Sequence, residues 1–286
     1  MTFILDDAYE RMAGTDFELP NGFVNHGPMA CEALVTLGRE EQIEGWARWS
    51  VDVVGTAPEA VEPNTRSPFD WKAELGAYER LPEWLGFYQN LVEDSPWTSV
   101  VEVWVPRLMP GLATVLYHGA IRTAHAVRAV SAADTEPRRA ELARSLAYWS
   151  ARFSPGEAVA ADEDSEDIHG GVMESAADGA SRYATRRSIF NLHGVTGAMA
   201  VDILLDHISP AAATGALRQL RAEHAAMYRG VVASIPATDL IWNDEWIDSA
   251  AQSRDAHQVK LVEACRRGFD VSGDRRFPMA AEVVSR

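Results

Sequence analysis

Three side chains with reactive chemistry share one stripe of a predicted buried helix. Residues 116–130 read LYHGAIRTAHAVRAV. Spacings of four, three and seven put His118, Arg122 and His125 on one face at 3.6 residues per turn. Leu116, Ala120, Ile121, Ala124, Val127 and Val130 make the remainder small or apolar. A solvated face would carry Lys, Glu and Gln, so two histidines and an arginine without an acid suggest an internal polar site.

Other histidines could join it. His26 stands in a loop before Gly27 and Pro28, where capping or packing is the plain alternative to a functional role. His193 lies in FNLHGVTGAMA, whose Gly194, Gly197 and Ala198 leave room beside it or simply allow tight helix packing. His257 and Lys260 in DAHQVKLVEACRR are three apart and face the same way, although Lys260 and Glu263 could equally form a surface ion pair. His169, beside the acidic stretch and next to Gly170 and Gly171, reads as a surface residue, and His207 and His224, near helix ends among charged residues, read as structural.

His26, His118, His193 and His257 thus come from four separate, mostly apolar segments. Neutral imidazole is the commonest metal ligand among side chains, and histidine sets suit Zn, Fe, Cu or Ni. A buried lysine with a lowered pKa can act as a base, and a carbamylated one offers an anionic oxygen. The chain lacks HExxH, HxD and paired ExxH motifs, which argues against zincin and ferritin-like sites. It also lacks GxGxxG, GxxxxGK[ST] and GxSxG, so Rossmann, P-loop and α/β-hydrolase folds have no support, and NADPH or flavin is not indicated.

The elements that must position these residues are predicted to be helices throughout. Helices are expected to about Met12, from Pro28 to Leu37, over 39–55, from Pro82 through Leu91, from Trp97 to Val105, after Pro110, and from Pro137 to Phe153. Residues 170–190 are expected to be helical in their second half. Further helices are expected over 188–208, from Pro210 to about Ser234, and from Trp242 to Arg267, with Gly268 as the stop. The stretch 154–167 is acidic and reads as a surface loop. No period-2 alternation marks a strand. An all-α, single bundle-like domain over 1–286 with a buried His-rich site is the expectation.

Bulk composition narrows the partners. The 286 residues are 47% apolar and 24% charged, with 26 basic against 42 acidic side chains and a formal charge of -16. Such a surface repels nucleic acid and anionic membrane. No apolar run reaches the ~20 residues of a membrane helix, and MTFILDDAYERMAG is unlike a signal peptide. A cytoplasmic location is expected, and a homodimer is left open. Cys31 and Cys265, distant in sequence, read as core thiols rather than a disulfide framework.

The segments NHGPMACEAL, YHGAIRTAHAVRA, ELARSLAYW, IFNLHGVTGAMA and DAHQVKLVEAC, in this order, resemble the questin oxidase-like family over nearly the whole chain. The resemblance implies a helical oxygenase that cleaves or oxygenates anthraquinone-type aromatic polyketides with O2 in secondary-metabolite (antibiotic) biosynthesis. It implies non-haem Fe(II) held by histidines and a carboxylated lysine: His26, His118, His193, His257 and Lys260. His125, Arg122 and Lys260 are the expected catalytic groups, with Arg122 stabilising a phenolate or oxyanion or else forming an internal salt bridge. A cofactor-free oxygenase with a histidine base, a metal-dependent hydrolase and a polyketide-binding protein are the alternatives.

Overall fold

Every regular element among the described residues is a helix, as the apolar periodicity predicts. The computed structural model describes residues 2–65, 67–156, 167–229 and 240–286. In order these are α1 (Thr2–Met12), α2 (Gly27–Thr36), α3 (Ile43–Val53), α4 (Trp71–Glu74), α5 (Leu81–Asp94), α6 (Trp97–Leu108), α7 (His118–Ala132), α8 (Glu136–Arg152), α9 (Ile168–Thr185), α10 (Ile189–Leu205), α11 (Pro210–Met227), α12 (Glu245–Gln252), α13 (Ala256–Ser272) and α14 (Arg276–Ser285). Among the described residues, strand-like pairing is confined to isolated bridges, Thr15 with Thr56 and Glu18 with Val24. No helix among the described residues is long and apolar enough to cross a membrane.

The starts follow local chemistry. Pro28, Pro82, Pro137 and Pro210 sit in first turns, where a missing N–H costs nothing. Ser188, Ser209 and Asp255 cap α10, α11 and α13 by accepting from the backbone N–H of Asn191, Ala212 and His257.

Several boundaries differ from the sequence expectation. Residues 168–185 are helical throughout, capped by Asp167. The helix expected over 242–267 is two helices, because Arg254 turns left-handed (φ 55°) and Asp255 caps a new start. Gly268 does not end α13; its bare Cα lets the Phe277 ring of α14 pack close, and the helix stops at Gly273, φ 67°. The acidic stretch expected as a surface loop lies, over 157–166, outside the described residues, as does the end of the helix expected to reach Ser234.

Four helices form the scaffold that matters here. α2 touches α7, α7 touches α10, α10 touches α13, and α13 returns to α2. His26, His118, His193 and His257 all lie at or within five residues of the N-terminal ends of these helices. Glu32, Arg128, Asp202 and Glu263, further along the same helices, also meet. The four helices therefore run parallel. Parallel neighbours cannot be joined by short turns, so the intervening helices serve as return connections. Apolar packing surrounds the ring: Tyr117, Trp149, Leu142, Leu146, Val195, Leu261 and Cys265 are fully buried. Cys31 and Cys265 are free buried thiols, as expected.

Candidate metal centre

The longest left-handed run among the described residues stands directly before His118. Val115, Leu116 and Tyr117 are consecutively left-handed, with φ of 47°, 52° and 65°. α7 therefore begins at His118 rather than continuing from Pro110. Left-handed backbone costs an L-residue roughly 1–2 kcal/mol, and a β-branched one is an outlier. Packing holds the turn. The Tyr117 ring lies on Gly197 of α10, where a Cβ would come within 2.6 Å, and Trp149 lies on Gly119. The small residues around His193 thus serve close helix approach.

That turn brings the Val115 carbonyl to His118 Nδ1 at 2.6 Å. Ile189 does the same for His193 Nδ1 at 2.8 Å. A carbonyl can only accept, so both Nδ1 atoms carry the proton and both Nε2 atoms present lone pairs. These two Nε2 atoms are 3.2 Å apart, and His26 Nε2 is 2.8 Å from that of His118. Replacing Val115 by glycine should leave stability unchanged or raise it by about 1 kcal/mol, read by denaturant unfolding. A loss above that figure would mean the Val115 side chain is needed to hold the turn.

His257 completes the group. Its ring is edge-on to that of His26, with centroids 4.5 Å apart, and 5.4 Å from that of His193. Ligand atoms of His26, His118 and His257 lie within 4.8 Å of one another. The Asp255 carboxylate accepts from the His257 backbone N–H at 2.9 Å and stands 3.6 Å from the ring Nδ1.

Lys260, one turn beyond His257, is 1% exposed, and its Nζ has no hydrogen-bond partner. Burial pushes its pKa down to about 7. Burial first, and then Lys260, hold His26 and His118 well below the ordinary imidazole value and His193 at about 3. His257 is lowered by burial as well. The imidazoles are therefore neutral at neutral pH, the form in which imidazole can bind a metal.

Three of these imidazoles, those of His26, His118 and His257, could hold a metal ion, and His193 adds a fourth beside His118. Two nitrogens bound to one ion at ~2.1 Å lie roughly 3 to 3.4 Å apart; His118 Nε2 is 3.2 Å from that of His193 and, slightly closer, 2.8 Å from that of His26. Without a cation, the facing lone pairs of His118 and His193 have no proton between them. The sequence-predicted set His26, His118, His193, His257 and Lys260 is thus brought together.

Arg122 and His125 are not brought to it as catalytic groups. Arg122, 1% exposed, forms a bidentate pair with Glu141 at 2.7 and 3.0 Å and lies over the Phe17 ring. It takes the internal salt bridge, the alternative to an oxyanion role. Arg122→Met should cost about 3 to 5 kcal/mol, because it strips a buried carboxylate of its main partner, with metal content unchanged. Thermal melting and elemental analysis check both halves. His125 Nδ1 meets Glu32 at 2.6 Å and is held as part of a buried ion network. The surface pair of Lys260 with Glu263 does not form: Glu263 is buried and bonds Arg128.

Among the other histidines, His169 is exposed beside Asp202, and His207 is half-buried against Trp97. His224 is buried against Tyr117 and Tyr228, with Asp178 and Arg182 close enough to act on it. An acidic groove of about 540 Å³ near His169 carries Asp202, Glu174 and Asp274, but these already pair with Arg267 or Arg276. What sequence reading missed was the network of Glu32, Arg128 and Glu263. Its one signal was an acid inside the apolar run MACEAL.

Compared with known protein families and with curated proteins, the chain matches none.

Proposed function

We propose that the protein is an oxygenase that opens or oxygenates the ring of an aromatic polyketide with O2, using a non-haem metal, iron in the first instance. The observation that carries the metal is the convergence of His118 and His193 Nε2 lone pairs, 3.2 Å apart, with both Nδ1 protons committed to carbonyls. His26 and His257 add two further imidazoles. Iron bound by this set would supply the redox chemistry that lets O2 react with an electron-rich phenol.

The chain's own residues do the rest. Lys260, neutral in part at pH 7, is a nucleophile for CO2. As a carbamate it gains an oxygen donor and a negative charge. Four helix N-termini converge on the site, each with a partial positive charge, and they favour such an anion or an ionised phenol. Val115, Ile189 and Phe190 lend apolar surface beside the site: they are 37%, 40% and 54% exposed, and the carbonyls of Val115 and Ile189 hold the ligand histidines. His26 and His257, less buried than His118 and His193, mark the approach for substrate. A flat, hydroxylated ring system suits an apolar rim around a positive centre.

Elemental analysis of protein purified without added metal tests the first half, with about one iron per chain expected. Under ¹⁸O2, product from an anthraquinone or related phenol should carry the label. Less than about one-tenth equivalent of metal with activity indifferent to chelator would remove the metal from the reading. Label arriving only from water would replace oxygenation with hydrolysis.

A further inference from the structure

The histidine-bearing helices are tied together a second time, away from the site. Arg128 of α7 bonds Glu32 of α2 through Nε at 2.7 Å and Nη2 at 2.6 Å, and reaches Glu263 of α13 through Nη1 at 2.5 Å. His125, also on α7, donates to the same Glu32 at 2.6 Å. Glu263 lies 3.5 Å from Arg267 Nε, and Arg267 bonds Asp202 and the Met199 carbonyl of α10, each at 2.6 Å. Glu32 and Glu263 are each 3% exposed. One guanidinium therefore joins the helices of His26, His118 and His257, and one further arginine adds the helix of His193. From ligand to network is about 9 to 15 Å along each helix.

We infer that Arg128 is a positioning residue for the metal centre, holding the histidine-bearing helices in axial register through Glu32 and Glu263. The inference rests on the metal reading above. A planar guanidinium with fixed donors suits this task, because it fixes the two carboxylates in direction as well as distance. Sliding or rotating any one helix would break a bond at the network and move a histidine at its end. Partners bonded directly to metal ligands commonly set affinity by roughly 10- to 100-fold; Arg128 acts through the helices that carry the ligands, so the low end of that range is expected.

The test uses the full chain and Co(II) as the probe, with affinity read against a competing chelator and ligand geometry read from the visible absorption of the bound ion. Arg128→Met is expected to weaken Co(II) binding by about tenfold or more and to change the spectrum. Arg128→Lys should restore part of both. Arg122→Met, which breaks another buried ion pair, should bind within about twofold of wild type with an unchanged spectrum, so a general loss of stability is separated from positioning. If Arg128→Met does not fold, Glu263→Gln removes the charge at similar shape and should show the same direction of change. Equal affinity and identical spectra in Arg128→Met, or in Glu263→Gln where it stands in, overturn the inference. So does an equal loss in Arg122→Met. Wild type that binds no Co(II) overturns the metal reading itself.

Discussion

His118→Ala should lose the metal altogether, with content falling from about one per chain to below one-tenth. His118 is the hub of the cluster, because its Nε2 is the atom that both His26 and His193 approach. The effect on stability should depend on the metal. A ligand bound at a thousand times its dissociation constant stabilises a fold by about 4 kcal/mol, and the variant should lose that increment. In metal-free protein the substitution should cost less than about 1 kcal/mol. The lost packing is offset there by removing a lone pair directed at two other imidazoles. Melting curves of wild type and variant, with and without chelator, check both statements. A variant equally destabilised in both conditions would make His118 a packing residue.

Lys260→Met should change how stability depends on pH. Burial takes the lysine from 10.5 to about 7 in the folded chain, a difference worth on the order of 5 kcal/mol. The folded pKa is the lower one, so the unfolded chain holds more protons between these values. The stability is fully present above pH ~10.5 and is lost as pH falls towards 7. Metal-free wild type should therefore gain on the order of 2 to 3 kcal/mol relative to Lys260→Met between pH 7 and 9. Comparing the two chains cancels the groups they share. Parallel stability curves would show that Lys260 is solvated or already paired. With metal present, bicarbonate should tighten binding in wild type and leave Lys260→Met unaffected, the outcome expected of a carbamate. Affinity independent of bicarbonate in wild type would leave Lys260 as a base only.

Much of the site was legible from residues alone. His26, His118, His193, His257 and Lys260 stood out because each interrupts an apolar or small-residue segment, where an unpartnered polar side chain is costly. Helix existence was equally readable, since it follows from apolar period and from Pro, Ser and Asp at starts. Boundaries were less so. Gly268 looked like a stop because glycine usually ends helices, but here it makes room for Phe277. The left-handed turn at 115–117 was invisible, because Val and Leu are poor residues for that backbone and it is tertiary packing, of Tyr117 on Gly197 and Trp149 on Gly119, that retains them.

One face of α7 marks the division most clearly. The sequence by itself determined that His118, Arg122 and His125 share a stripe, because helical spacing is local geometry. Tertiary structure alone decided their roles, by setting what each meets. His118 meets three histidines, Arg122 meets Glu141, and His125 meets Glu32. Those partners come from other helices, and a pattern along one helix contains no term for the carboxylates that neighbouring helices bring to it.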